Sequence, residues 1–370
     1  MNGERQGPDA RRRVPLPDRP RLRSVRRPAL MSEVVNLTPF AAVCLPSMGR
    51  DGDPRVLLVI AASYRMPGHG QHELQSLEEP PEVRLADAYV SDPECSSLRH
   101  EGQSAYTRPG TDVSLVGHAW APGGKPVARS TVGLRVGALT KGAVVFGDRV
   151  WQERLGLRPG AARSFTRLPL VYERCFGGSP ERGGRSTAAA TDRNPVGMGL
   201  FASERDALGR PLPNFENPGQ LLATANDRPA PWGFGPIARH WQPRRSYAGT
   251  YDERWEALRL PLWPKDLDER FFHAAPQDLR ASPYLQGGEP VTIAGMSPDG
   301  PLTFELPRND LRVRADLQGG HSTHTRPVLD CVEFDCDAML LTQVYRASFP
   351  VDPLTVRAVV IRPHESWESP

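Results

Sequence analysis

Four residues late in the chain are of the types that hold metal: His321, His324, Cys331 and Cys336. Zinc wants four nitrogen or sulfur ligands converging tetrahedrally, and this spacing fits no tight knuckle. Val332, Phe334 and Cys336 alternate with Glu333, Asp335 and Asp337, which puts Cys331 and Cys336 on opposite faces of one strand. The expectation is a buried Cys336 beside a loop with two histidines, with neither metal nor cofactor. Nucleophilic chemistry has no firmer footing. The chain has no Gly-x-Ser-x-Gly turn, and Cys175 ends an apolar strand, a position for a small core residue. Gly177-Gly178, Gly183-Gly184 and Gly197-x-Gly199 lack the Gly-Lys-Ser/Thr ending of a phosphate cradle.

Acid–base chemistry offers the sharpest enzyme reading. A glycosidase needs two carboxyls about 5–10 Å apart across a cleft, and Asp148, Glu173 and Asp252 are the candidates, with nearby tryptophans as sugar platforms. Each has an arginine close in sequence (Arg149, Arg174, Arg254), so structural ion pairs compete with this reading. The most unusual local composition runs from Trp232 to Trp255. There Trp232, Trp241, Arg244, Tyr251 and Trp255 fall within 24 residues. Tryptophan, tyrosine and arginine are enriched at binding hot spots. They are also what an irregular module uses to build a core from few residues. An exposed subset of these five is the expected partner contact.

The elements that must position these groups read as mainly β. Arg55–Tyr64 is a continuous apolar run of strand length, suited to burial on both faces. Thr111–Ala121 and Val127–Gly137 flank Pro122-Gly123-Gly124-Lys125, which predicts a hairpin. In the second arm Ser130, Val132, Leu134 and Val136 face one way, Arg129, Thr131 and Arg135 the other, and Lys141–Phe146 continues the meander. Glu289–Met296 and Leu302–Leu306 surround a Pro-Asp-Gly turn. Leu311–Ala315, Val328–Phe334, Met339–Arg346 and Thr355–Ile361 complete the strands. Helices are expected only at Asp266–His273, capped by Asp266, and at Pro276–Arg280. The organisation is a tail (1–33), an N-terminal β region (34–150), an irregular insert rich in Pro, Gly and Trp (151–286), and a C-terminal β region (287–365) packed with the first. Antiparallel sheets in a sandwich-like arrangement are the expected fold. Pro180–Asp192 reads as a mobile surface loop.

Composition narrows the function classes. Gly 34 and Pro 39 make about a fifth of the 370 residues, which counts against a helical bundle and demands many turns. The longest apolar run, Val56–Ala62, is too short to span a membrane. The formal net charge of +3 divides unevenly: residues 1–30 hold nine arginines against Glu4, Asp9 and Asp18, leaving a net of −3 for the rest. The body therefore gives no electrostatic reason to expect nucleic acid. Five cysteines, an odd number in a long chain, point to a reducing compartment, and the expected location is cytoplasmic. The arginine- and proline-rich tail has no apolar signal region and reads as disordered, with Met31 the expected physiological start.

A series of short motifs comes in order along the body. It includes Asn36-Leu37-Thr38-Pro39-Phe40, Gly117-His118-Ala119-Trp120-Ala121-Pro122, Phe146-Gly147-Asp148-Arg149-x-Trp151 and Tyr172-Glu173-Arg174-x-Phe176-Gly177-Gly178. Asn194-Pro195-Val196-Gly197, Leu212-Pro213-Asn214, Gly233-Phe234-Gly235-Pro236, Trp241-x-Pro243-Arg244, Gly249-Thr250-Tyr251-Asp252-x-x-Trp255 and Gly287-Gly288-Glu289 follow. Together they resemble the bacterial family known as domain of unknown function 2169, over roughly Val34 to Phe349. The resemblance implies an accessory role in type VI secretion: a non-enzymatic adaptor or chaperone that holds an effector for loading onto the spike. The implied partners are a secretion effector, a spike or a spike-tip protein. It implies no catalytic residue, and the carbohydrate-active hydrolase using Asp148, Glu173 or Asp252 stands as the alternative.

The tail's charge and lack of apolar pattern lead to one expectation for stability. Removing residues 1–30 should leave the thermal midpoint where it is; a fall of more than a few degrees would show that the tail packs on the body.

Overall fold

A computed structural model describes residues 33–154, 156–178 and 191–364. The arginine-rich tail through residue 32, including Met31, and most of the Pro180–Asp192 loop lie outside the described residues. Strands of the three large sheets are β1 (Glu33–Asn36), β2 (Ala41–Met48), β3 (Pro54–Arg65), β4 (Thr111–Val116), β5 (Arg129–Val136), β6 (Leu139–Phe146) and β7 (Pro290–Ala294). They continue with β8 (Leu302–Glu305), β9 (Leu311–Leu317), β10 (Ser322–Thr325), β11 (Val328–Asp335), β12 (Leu340–Phe349) and β13 (Val356–Pro363). The fold is mainly β.

The largest sheet has the order Arg280–Ala281, β4, β11, β12, β3, β2, with Gln75–Ser76 also paired to β3. Strand β3, between β12 and the edge strand β2, is the apolar run expected to be buried on both faces, and Val56 through Ala62 are buried. A five-stranded sheet runs Phe215–Glu216, β6, β5, β7, β8, and a four-stranded one runs β1, β13, β9, β10. Most ladders are antiparallel, but β4–β11 and β1–β13 are parallel. The period-two reading of β5 holds: Val132, Leu134 and Val136 are buried and Arg129 and Arg135 exposed.

Two local expectations are corrected. Thr111–Ala121 and Val127–Gly137 do not form a hairpin. Gly117 turns the chain at φ +133°, beside Cys336, so the first segment splits. Thr111–Val116 joins the large sheet, while His118–Trp120 pairs with Arg167–Pro169. The helix capped by Asp266 is also absent. Its carboxylate instead accepts from the Thr250 N–H (3.1 Å) and hydroxyl (2.7 Å), and a single 3-10 turn, Glu269–Phe272, is capped by Asp268. Among the described residues two short α-helices occur elsewhere, α1 (Glu204–Ala207) and α2 (Glu253–Leu258).

The large sheet has two unlike faces. Val56, Leu58, Ile60, Val113, Leu115, Val332 and Phe334 enter the main core, which they share with Val132, Leu134, Ile293 and Phe304 of the second sheet and Val313, Ala315 and Ile361 of the third. Phe304 meets Phe334 edge-on at 6.1 Å. Beyond a small cluster around Leu57, Val59, Cys331 and Val344, the other face is charged. The register aligns Asp112 with Cys331 and Ser114 with Glu333, Asp330 and Asp335 lie on β11, and Arg346 lies on the neighbouring β12. All are buried.

Buried charge must be paired, and residues 84–108 supply the partners. Arg84 bonds both Glu333 oxygens at 2.7 and 2.6 Å, and Arg99 and His100 reach Asp335 at 3.0 and 3.2 Å. Arg346 pairs with Asp330 and donates to the Gln103 carbonyl at 2.9 Å. Glu101 lies between Arg108 (2.5 Å) and Arg244 (2.7 Å), and Arg108 donates on to the Phe272 carbonyl at 3.0 Å. Asp112 accepts from His273 Nδ1 (2.6 Å) and the N–H groups of Ala274 and Ala275. Burial alone would raise the Glu101 and Asp112 carboxyls. Arg244 and Arg108 around the first, and the His273 bond and Arg108 around the second, hold both below the ordinary carboxylate value.

Glu101→Gln strands two guanidiniums and should lower unfolding free energy by about 3–5 kcal/mol, read by denaturant titration. The sign of the pH dependence follows from the depressed carboxyls. Their stabilisation is complete above the unfolded-chain value near 4 and is lost as pH falls from there through the lower native values. Melting followed from pH 7 to pH 2 should therefore fall most steeply below about pH 4.

Candidate partner-binding site

The five aromatic and arginine positions expected to meet a partner separate into two groups. Trp241 and Arg244 are 2 % and 1 % exposed, so neither forms a surface. Trp241 packs edge-on against Tyr172 at 5.7 Å. Arg244 spends its donors on Glu101 and on the carbonyls of Ile237 (2.6 Å) and Phe271 (3.1 Å). The expectation for these two is corrected: they build the body. Trp232 is half-buried against the core, donates to the Gly142 carbonyl at 2.7 Å, and has Lys141 Nζ 4.0 Å from its ring.

Tyr251 and Trp255 belong to a projecting unit. Asp252 accepts the Trp255 N–H at 2.8 Å and so caps α2, which answers what this carboxylate does. Trp255 meets Tyr251 edge-on at 4.7 Å and donates to the Leu262 carbonyl at 2.8 Å. The unit is clamped to the β2–β3 turn. Arg259 donates to the Arg50 carbonyl (2.5 Å), and Arg50 donates to the carbonyls of Lys265 (2.8 Å) and Leu267 (2.5 Å). Held in this way, Tyr251, Leu258 and Leu260 remain 54 %, 77 % and 57 % exposed.

Behind the unit a cleft of about 430 Å³ opens between β2 and the Pro261–Phe272 segment. Leu45, Met48, Tyr106, Trp263 and Phe271 form its walls, and Glu101, Arg239 and Arg244 its polar floor. The rings brace one another: Tyr106 stands edge-on to Trp263 at 4.7 Å, and Trp263 meets Phe272 at 5.1 Å. β2 is the sheet edge here, and Pro46 removes one backbone donor from it, so side chains rather than an added strand are what the cleft offers. Sequence reasoning missed Tyr106, Leu258, Leu260, Trp263 and Phe271. The Leu258–Trp263 stretch, with two prolines among the apolar residues to Pro264, was the available signal.

The remaining candidates are occupied structurally. Asp148 and Glu173 line one cleft of about 570 Å³ with Arg163 and Arg174, while Asp252 lies elsewhere. Glu173 accepts from the Ser97 N–H (2.6 Å) and hydroxyl (2.7 Å). Asp148 accepts from Arg174 and Asn214, each at 3.1 Å, and its side chain is 67 % exposed; neighbouring Arg149 pairs with Glu216 instead, so the ion pair lies at the surface and with a different arginine. Burial pushes the Cys175 thiol up to about 12, consistent with a core residue. Cys331 and Cys336 are buried in different clusters, and no group of three metal-ligating side chains occurs among the described residues. No described helix is long and apolar enough to cross a membrane.

A family model described as an uncharacterized protein conserved in bacteria (DUF2169) matches residues 51–346. The chain belongs to the DUF2169 family. No curated protein and no solved structure matches it. In this DUF2169 chain the motifs converge on structural knots. Asn194 donates to the carbonyls of Tyr172 (2.8 Å) and Phe176 (3.1 Å). Gly177, at φ +153°, passes so close that a Cβ there would lie 2.3 Å from the Asn194 carbonyl oxygen. Asn214 joins the Phe146 carbonyl, Asp148 and Arg174. The Tyr172 hydroxyl donates to Gly235 at 3.2 Å.

These positions separate body from surface in a measurable way. Trp241→Ala should cost about 3–5 kcal/mol of stability, whereas Asp148→Asn, breaking an exposed pair, should cost at most about 1 kcal/mol. Denaturant titration of the two variants checks both.

Proposed function

We propose that this DUF2169 chain is a non-catalytic adaptor of type VI secretion, which holds an effector for loading onto the spike. The observation that carries the reading is the exposed apolar unit of Tyr251, Leu258 and Leu260, clamped to the β2–β3 turn and followed in the chain by Pro261–Trp263, which line an aromatic cleft. Apolar side chains fixed by their surroundings lose little freedom on binding and so contribute most to affinity. An adaptor must also release its client, which favours a few anchors over a large obligate interface. The near-neutral body makes long-range electrostatic steering a small part of such binding.

A second reading rests on Asp148 and Glu173 sharing one cleft, which is the placement a glycoside hydrolase would need. Their bonds to Ser97, Arg174 and Asn214 weigh against it, because those bonds occupy both Glu173 oxygens and Oδ1 of Asp148. Turnover of a polysaccharide that is lost in Glu173→Gln would establish it.

The adaptor reading is tested with the effector or spike protein encoded beside this gene. Tyr251→Ala, Leu258→Asp and Trp263→Ala should weaken co-purification, each genuine anchor by about 2 kcal/mol, roughly thirtyfold in Kd. Melting should be unchanged for the first two, and binding should depend little on salt. Normal binding by all three variants would place the contact elsewhere.

A further inference from the structure

The outer face of the four-stranded sheet gathers positive charge in a way that the aromatic cleft does not use. Along β9, Leu311, Val313 and Ala315 are buried in the core while Arg312, Arg314 and Asp316 alternate with them. The register sets Arg312 opposite Arg362 of β13, and Arg314 opposite His324 of β10. Arg326 directly follows Thr325, the partner of Val313, and so comes beside Arg312 on its other flank. Three arginines, Arg362, Arg312 and Arg326, thus stand in a row across the sheet.

Like charges directly opposite one another destabilise a sheet. Two carboxylates lie against the patch: Asp310 meets Arg326 at 3.2 Å and Asp316 meets Arg314 at 2.8 Å. Arg312, in the middle of the row, has no carboxylate within ion-pair distance among the described residues. It lines a trough of about 300 Å³ with His324, Arg326 and His364. That volume is at the small end of ligand sites. Two guanidiniums lining one trough, Arg312 and Arg326, suit an oxyanion that carries several charges and can accept forked hydrogen bonds from each. A single carboxylate would neutralise only one of them.

We propose that this trough is a binding site for a small, multiply charged phosphate, such as a phosphate ester or pyrophosphate. Arg312 is its central ligand and Arg326 the second. The site shares no residue with the aromatic cleft, and it stands or falls independently of the adaptor reading.

Calorimetric titration of the full chain with pyrophosphate at low ionic strength is the test. The expected result is one site per chain, weakened at least about tenfold by Arg312→Gln and by Arg326→Gln. Arg312→Lys, which keeps the charge but loses the fork, should recover only part of that loss, and Leu258→Asp should bind as the parent does. Citrate, similar in charge but different in geometry, should bind more weakly. Several equivalent sites, unchanged affinity in Arg312→Gln, or equal binding of citrate would overturn the proposal. Binding seen only after Glu365→Gln and Glu368→Gln would overturn it too, and would assign the trough to the chain's own C-terminal carboxylates.

Discussion

Glu101, held between Arg108 and Arg244, is the contact on which the arrangement of the body depends. One face of the large sheet is dry and packs as any sandwich does. The other bears Asp112, Asp330, Glu333 and Asp335 in positions that water scarcely reaches. A hydrophobic cover would leave those carboxylates without partners. Residues 84–108 cover them with arginine, histidine and the Gln103 amide instead, and the insert is attached through the same network by Arg244 and His273. Buried ion pairs stabilise weakly compared with apolar packing, but a misplaced partner costs several kcal/mol. The network therefore acts mainly on arrangement: it permits one seating of the irregular segments on the sheet.

That seating accounts for the site. The 251–272 segment has little regular structure, yet Arg50, Arg259 and the Arg244–Phe271 bond fix it at both ends. The aromatic rings in between are braced by one another. The family motifs serve the same end on the opposite flank, where Asn194 and Asn214 supply the amide bonds that loops lack.

Strands were legible where burial imposes a period. Val132, Leu134 and Val136 alternate with polar residues because one side meets the core, and Val56–Ala62 is continuous because both sides do. The break at Gly117 was not legible, since nothing in Thr111–Ala121 distinguishes a turn from a strand until Cys336 is placed beside it. Asp266 could not be told from Asp268 as a cap, because they stand only two residues apart and the turn that follows is short. Which tryptophans reach the surface was hidden for a further reason. Trp241 and Trp255 both stand among charged and polar residues, and what packs against one is Tyr172, about seventy residues earlier. The charged sheet face carried a signal in Asp330, Glu333 and Asp335, but their partners come from distant segments.

The large sheet also joins the two ends of the chain, with Val56 of β3 opposite Phe349 of β12. Contacts so far apart in sequence form slowly, because the loop must close before any pairing rewards it. On the ribosome β3 emerges early and has only β2 and the short Gln75–Ser76 strand beside it until β12 is made. Its seven consecutive apolar residues are thus open to the wrong neighbour for most of synthesis. Yield in a foreign host should be governed by elongation rate and chaperone supply more than by the stability of the finished fold.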